Sequence, residues 1–131
     1  MNNEYTALMD KLGYRFRDPR LLEKALTHSS YANEGRHGLE SNERLEFLGD
    51  SVLGFVAAKY LFEKETGPEG ELTKLRAAVV CEKALCSYSR ELGLGDYLLL
   101  GKGERLTGGA ERPSILADAF EAVIAAMFLD G

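Results

Sequence analysis

Cysteine and histidine are scarce in this sequence, with two of each among 131 residues. Cys81 and Cys86 are five positions apart in a segment with helical periodicity, which matches neither a CxxC motif nor a convincing bridge. Two reduced thiols in the core are therefore the prediction. So small a set of sulfur and imidazole ligands gives no indication of a zinc site.

Long apolar runs are missing as well. None reaches the roughly 18 residues that a membrane-spanning helix needs. The opening residues, MNNEYTALMDKLGY, lack the charged stretch and apolar block of a signal peptide. There is no internal repeat, low-complexity tract or interdomain linker. With 45% hydrophobic and 28% charged residues, the composition is that of one globular domain over residues 1–131, and we expect a cytoplasmic location.

Positive charge is in deficit, because 16 Lys and Arg face 21 Asp and Glu, for a net charge of −5. A polyanion such as a nucleic acid is an unexpected partner for such a chain. That conclusion depends on where the carboxylates are. If several of them are gathered in one metal site, the remaining surface can still present a basic track.

Helical periodicity is abundant, and its clearest example is a predicted long helix at Asn42–Lys64. Asn42 or Ser41 is expected to cap its start. Gly49 and Gly54 weaken a helix, so each predicts a place where another backbone comes close. The apolar stripe that predicts a core contact, and with it a central position, consists of Leu45, Leu48, Val52, Phe55 and Val56.

Two shorter helices are predicted ahead of it. The first is capped by Asn2 or Asn3 and ends near Lys11, with Gly13 just beyond its end. The second starts at Asp18-Pro19, an N-cap followed by proline at the first helical position, and runs to about His28. Residues 29–41 are predicted to be loop.

After the long helix, Thr66-Gly67-Pro68 predicts a turn. A helical pattern follows from Glu69 to Leu92, with a bend or break near Cys81-Glu82 and an end at Gly93. The glycine-containing residues 97–109 are predicted to form an exposed loop, and Pro113 opens a last helix. The predicted fold class is all-α.

Acidic residues are placed unusually within these helices. Glu43, Glu46 and Asp50 share one face of the long helix, where their charges repel. Asp118 and Glu121 stand inside the apolar run SILADAFEAVIAAMFL, where an unpaired charge is costly. A solvated face is the ordinary explanation for carboxylates on helices. The alternative is that two helices bring their acids together as a cup for a hard divalent cation such as Mg²⁺ or Mn²⁺.

Four ordered motifs carry a family resemblance that covers nearly the whole chain. NERLEFLGDS at Asn42–Ser51 resembles the signature motif of the ribonuclease III family. LGYRFRDPRLLEKALTHSSYANE precedes it, and GELTKLRAAVV and GGAERPSILADAFEAVIAAMFLDG follow it in the family's order. The sequence is most similar to the catalytic domain of the bacterial enzymes.

The resemblance implies an Mg²⁺-dependent endoribonuclease, with Mn²⁺ as a substitute, that cuts double-stranded RNA during processing such as rRNA maturation. It implies a homodimer and products with 5′ phosphate and 3′ hydroxyl ends. Asp50 and Glu121 match the family's catalytic positions. The matching metal ligands are Glu46, Asp50, Asp118 and Glu121, and the secondary acidic positions are Glu43 and Glu69.

Other matches are less specific. The block around Thr27 and His28 lies near RNA in the family, although a lone histidine at a helix end is more often a cap or a core residue. Phe47 matches an aromatic knob that enters a socket on the partner, although between two acids it would ordinarily be called core. The basic residues that could contact phosphates, or could simply be solvated, are Arg44, Lys74, Arg76, Lys102, Arg105 and Arg112.

Three alternatives stay open at this point. A non-catalytic RNA-binding or scaffold domain is disfavoured because all six acidic positions are present. The short mini-ribonuclease III type is disfavoured by the bacterial-style signature and the LTHSSYANE block. An unrelated helical metal-binding protein is disfavoured by the four ordered motifs. Bacterial members generally continue into a double-stranded-RNA-binding domain, so we expect this chain to be the catalytic domain without it.

Overall fold

A computed structural model describes residues 5–35 and 38–131. The predicted all-α class is confirmed for this part of the chain, which contains helices and short 3₁₀ turns, and one isolated backbone bridge between Thr27 and Leu99. The helices are α1 (Thr6–Leu12), α2 (Pro19–Ala25), α3 (Ser29–Ala32), α4 (Glu43–Lys64), α5 (Glu69–Val79), α6 (Glu82–Leu92), α7 (Lys102–Leu106) and α8 (Pro113–Asp130).

Local chemistry sets several of these boundaries as predicted. The Asp18 carboxylate accepts a hydrogen bond from the backbone N–H of Arg20, and Pro19 follows as the first helical residue. Gly13 and Gly93 end α1 and α6 in the left-handed conformation, at φ 68° and 69°. The break before Glu82 is confirmed. The proposed caps Asn2 and Asn3 lie outside the described residues.

Three boundary predictions are wrong. The second helix ends at Ala25 rather than near His28, because the backbone there turns to pair with Leu99. Residues 29–41 and 97–109 are not wholly loop, since each contains a short helix, α3 or α7. The second of these segments is also not fully exposed, because Leu98, Leu100 and Gly101 are buried in it.

The centre of the core is α8, not α4. Nine residues of α8 are buried, whereas α4 buries only Leu45 and Gly49 among its 22 residues. Because α8 is mostly apolar and rich in alanine, α2, α4 and α6 can pack closely around it. The predicted apolar stripe of α4 is therefore wrong beyond its first turns, where Phe55 and Val56 are 68% and 54% exposed.

The predictions for the two helix glycines and for the two cysteines are each half confirmed. A Cβ atom on Gly49 would stand 1.9 Å from the carbonyl oxygen of Glu121, which confirms the predicted close approach of another backbone. Nothing in the chain lies within 4 Å of such an atom on Gly54, so that prediction is wrong for the chain by itself. Cys86 is a buried free thiol as predicted, but Cys81 is exposed. In the described part of the chain, no helix is long and apolar enough to cross a membrane.

Candidate metal centre

The contact between α4 and α8 positions the acidic side chains. Because Gly49 has no side chain, α4 can rest directly on the backbone of Glu121. Glu46 and Asp50 are on the α4 turns at this contact, and Asp118 is one turn before Glu121 on α8. Glu46, Asp118 and Glu121 each offer a carboxylate oxygen, and these three oxygens lie within 4.8 Å of one another. The predicted convergence of the two helices' acids therefore occurs.

Asp50 joins this group through Glu121. The two side chains share a hydrogen bond, which requires one of them to hold a proton. Asp50 is exposed, whereas Glu121 is only 8% exposed. The arrangement is thus a cup with Glu121 at its floor and Asp50 at its rim. We call Glu46, Asp50, Asp118 and Glu121 the carboxylate cluster.

Burial and mutual repulsion change the acidity of the cluster. Burial raises the pKa of Glu121 to about 8, assisted by its hydrogen bond with Asp50 and by the neighbouring carboxylates. Burial also raises the pKa of Glu46 to about 7, with the charge of Asp118 as the next cause. Burial raises the pKa of Asp118, while the hydrogen bond with Glu46 lowers it. The hydrogen bond between these two side chains thus acts on them in opposite directions, raising the pKa of Glu46 and lowering that of Asp118.

Two residues outside α4 and α8 change the pKa of Asp118. Glu82, the first residue of α6, raises the pKa of Asp118 through its charge, and His28 lowers it. Sequence reasoning placed a helix break at Glu82 but did not connect this residue with the cluster. The signal that could have found it is a carboxylate in the first turn of a helix packed on α8.

His28 has the capping role that its position suggested. Its Nδ1 accepts a hydrogen bond of 3.1 Å from the backbone N–H of Ser30 and thereby caps α3. Thr27 does not fit the RNA-contact prediction, which is wrong for its side chain. Thr27 is fully buried, and its hydroxyl donates to the carbonyl oxygen of Glu23 at 2.7 Å.

The secondary acidic positions occupy two different places. Glu43 is in the first turn of α4, and its charge contributes to the raised pKa of Glu46. Glu69 lines a groove between α4 and α5, beside Phe55 and Phe62. The part of α4 next to Glu69 is about 20 Å along the helix axis from Glu46. Within one chain, Glu69 is therefore distant from the carboxylate cluster, and a place for it near the metals or the scissile region, which the resemblance implies, stays a prediction.

The predicted basic contacts are scattered. Arg44 is near Phe47 on α4, and Lys74 and Arg76 are exposed on α5. Arg105 is exposed, but its guanidinium donates to the carbonyl oxygen of Leu98 at 2.7 Å. Arg112 forms an ion pair with Glu104, and Lys102 is exposed. The contact of these residues with RNA stays a prediction.

The cluster suits a hard divalent cation. All four side chains offer oxygen, which Mg²⁺ and Mn²⁺ prefer, and among the described residues no imidazole or thiolate completes a zinc-type set. Burial first, and then the neighbouring carboxylates, raise the pKa values of Glu46 and Glu121 to about 7 and about 8, so the metal-free cluster is partly protonated at neutral pH. A cation would replace those protons, so the residues present fit a metal site.

Comparisons with known proteins assign the chain first to a class and then to a family. Its helical fold is that of nuclease domains. The solved nuclease domain of ribonuclease III from Campylobacter jejuni is similar with a TM-score of 0.89 and 46% identity, over 99% of this chain and 87% of that one. A second structure of that domain has a TM-score of 0.87 and 44% identity, over 100% and 86%.

Sequence comparisons agree. The Ribonuclease-III-like family model matches residues 18–131. Proteins named Ribonuclease 3 from Bacillus cereus and Bacillus cytotoxicus are 56% identical over 128 residues, which is 96% of this chain and 52% of each relative. The chain belongs to the ribonuclease-III-like family, and it spans about half the length of these curated relatives.

Proposed function

We propose that this chain is the catalytic part of an endoribonuclease that hydrolyses phosphodiester bonds of double-stranded RNA with divalent metal, in RNA processing such as rRNA maturation in the cytoplasm. The observation that carries the proposal is the convergence of Glu46, Asp118 and Glu121 within 4.8 Å at the contact of α4 and α8. Membership of the ribonuclease-III-like family makes RNA the expected substrate.

The carboxylate cluster would hold the metal, Mg²⁺ or in its place Mn²⁺. When bound, a divalent ion supplies an activated water and Lewis-acid stabilisation of the charge that develops on the leaving oxygen. Glu121, at the floor of the cup, fixes the position of the site because its own backbone is held against Gly49. Asp50, exposed at the rim and hydrogen-bonded to Glu121, would be the cluster residue nearest to an incoming phosphate. Breaking the bond between phosphorus and the 3′ oxygen leaves 5′ phosphate and 3′ hydroxyl ends.

The proposed assembly is a homodimer formed through α4. Phe47 is 79% exposed, so it is not a core residue of its own chain. Eleven residues further along α4, Ala58 points within about 20° of the direction of Phe47. Ala58 lines a groove of about 650 Å³ between α4 and α5, with Phe55, Phe62 and Leu72.

A two-fold axis across α4 would use both features. When two copies of a helix pack antiparallel, the first half of each faces the second half of the other. Phe47 of each copy would then enter the groove of its partner. Glu69 lines that groove, so it would arrive beside Glu43 and Glu46, which flank the entering ring. This arrangement gives Glu69 a place near the metals that a single chain does not offer.

The test of the proposed function is cleavage of a long RNA duplex with and without Mg²⁺. Wild type should cut only with the metal. Glu121→Gln removes a charge with little change of volume, so it should lower the rate by roughly a hundredfold or more while helical circular dichroism is unchanged. The matched control is Glu91→Gln, an exposed carboxylate on α6, which should cut normally. Normal cleavage by Glu121→Gln, or none by wild type at any protein concentration, would reject the proposal.

A further inference from the structure

Helix α5 has almost no support from its own chain. None of its 11 residues is buried, and Val79 is 41% exposed. Helix α6 has the same length, yet it buries Leu85, Cys86 and Ser89 against the rest of the molecule. The difference shows that α5 is an outlying element rather than a typical helix of this fold.

The second half of α4, like α5, has little of its surface covered by the rest of the chain. Beyond Gly49, α4 contains no buried residue, and Phe55, Tyr60 and Phe62 are 68%, 59% and 77% exposed. Together with α5 it forms an antiparallel pair, residues 55–79, which we call the α4–α5 hairpin. The carbonyl oxygen of Val79 accepts a hydrogen bond of 3.0 Å from the Tyr88 hydroxyl, which ties the end of the hairpin to α6.

Helix stability makes this exposure significant. An isolated helix shorter than about 12–15 residues is marginal in water, and most helices in proteins depend on a packed apolar face. The apolar face of the hairpin is instead an open groove. Segments with few buried contacts open at low free-energy cost, independently of the core.

We propose that a second copy of this chain holds the α4–α5 hairpin in place, so that the hairpin becomes ordered on pairing while the carboxylate cluster is already formed in each protomer. The inference rests on the proposed dimer. Phe47 is the group of suitable size and exposure on the same helix to fill the groove from the partner.

The proposal couples assembly to activity. Glu69, Lys74 and Arg76 are all on the hairpin. The cluster residues are on the first turns of α4 and on α8, outside the hairpin. Dilution should therefore remove RNA cleavage before it removes metal binding.

Hydrogen–deuterium exchange of the full chain, followed by mass spectrometry over a dilution series, tests the inference. As wild type is diluted through the dimer-to-monomer transition seen in sedimentation, peptides from residues 55–79 should exchange roughly tenfold faster or more. Peptides from α8 should not change. Phe47→Ala should show fast hairpin exchange at every concentration. Leu106→Ala, at a residue 76% exposed on α7, is the matched control and should behave as wild type.

Each outcome decides the matter. If the hairpin peptides exchange at the same rate at every dilution and in Phe47→Ala, the inference is overturned, even if duplex RNA is cut normally. An α8 that loosens together with the hairpin also overturns it, because ordering would then be global. Absence of a dimer at any concentration removes the second copy and rejects the proposed assembly with it. Because wild type alone provides the dilution series, the result does not depend on how well Phe47→Ala folds.

Discussion

Gly49 is the residue on which the geometry of the cluster depends most. An added Cβ would stand 1.9 Å from the Glu121 carbonyl oxygen and 2.5 Å from its carbon. Both are backbone atoms, so no side chain can rotate away to make room. Any residue other than glycine must therefore separate α4 from α8, and this separates Glu46 and Asp50 from Asp118 and Glu121.

We predict that Gly49→Ala lowers the free energy of unfolding by about 3 kcal/mol, the upper part of the usual range for overpacking. It should also abolish RNA cleavage. Urea denaturation provides the measurement. Gly103→Ala is the control, because nothing lies within 4 Å of the added atom on α7 and the substitution favours the helix. Equal stability of the two variants would show that the α4–α8 contact is not as close as described.

The acidity of the cluster leads to a prediction about pH. In the folded chain, the pKa values of Glu46 and Glu121 are raised to about 7 and about 8, from an ordinary value of 4.5. At pH values between the ordinary pKa of 4.5 and these raised pKa values, the folded state therefore binds more protons than the unfolded state. Its stability falls as pH rises through this window, because both groups must ionise in a half-buried place.

Thermal unfolding in a chelator should show this loss of stability between about pH 5 and pH 8, and Mg²⁺ should reverse it at the upper end. Glu121→Gln should flatten the dependence, since an amide does not ionise. A metal-free protein whose stability rises over the same interval would contradict the account of the cluster.

The first turn of α4 determines where Glu46 is placed. Asn42 was predicted as a possible side-chain cap, but its amide instead donates to the carbonyl oxygen of Ala25 at 2.9 Å, and its backbone N–H donates to that of Thr27 at 2.8 Å. Ser41 is the residue whose hydroxyl accepts from the backbone N–H of Glu43, at 3.4 Å. The first turn of α4 is thus anchored to the end of α2 through a 5% exposed side chain.

We predict that Asn42→Asp destabilises the fold by about 2–3 kcal/mol, because the variant places a carboxylate against a carbonyl oxygen in a buried place. Ser41→Ala removes two exposed hydrogen bonds to Glu43, one of 3.0 Å to its carboxylate and one of 3.4 Å from its backbone N–H, and should cost less than about 1 kcal/mol. Denaturant unfolding of both variants makes the comparison. A milder effect at Asn42 than at Ser41 would mean that side-chain capping, not the anchor to α2, holds α4.

The elements also show what sequence can predict here. Boundaries at Asp18, Gly93 and Pro113 were predictable because each depends on the chemistry of a few neighbouring residues. The apolar positions of α4 were recognisable, but periodicity alone cannot tell whether a face is covered by the same chain or by another. Helices α3 and α7 have four and five residues, too few for a periodic pattern to appear.

The candidate site, like the helices, was predictable from the sequence only in part. The i, i+3 and i, i+4 spacing of the acids predicted that each pair shares a face, and the family motif predicted that the pairs meet. The role of Glu82 was not predictable, because it depends on how α6 is placed beside α8. The position of Glu69 was not predictable either, since it requires knowing that α5 is about 20 Å along α4 from the cluster.

For the whole molecule, the net charge of −5 opposes an RNA partner, and metal bound at the acidic cluster would offset part of it. Four of the carboxylates are concentrated in one cup, where divalent ions would offset them. The central claim is therefore that this cup binds metal, and that binding displaces the protons which Glu46 and Glu121 otherwise retain.

Calorimetric titration of the protein with Mn²⁺ at pH 6.5, in buffers of different ionisation enthalpy, tests this claim most directly. At that pH the account predicts saturable binding with release of roughly one to two protons. Asp118→Asn should weaken binding at least about tenfold, the scale typical of a lost ligand interaction, whereas Glu91→Gln should bind as wild type. Binding by Asp118→Asn that equals wild type, or binding without proton release, would contradict the account.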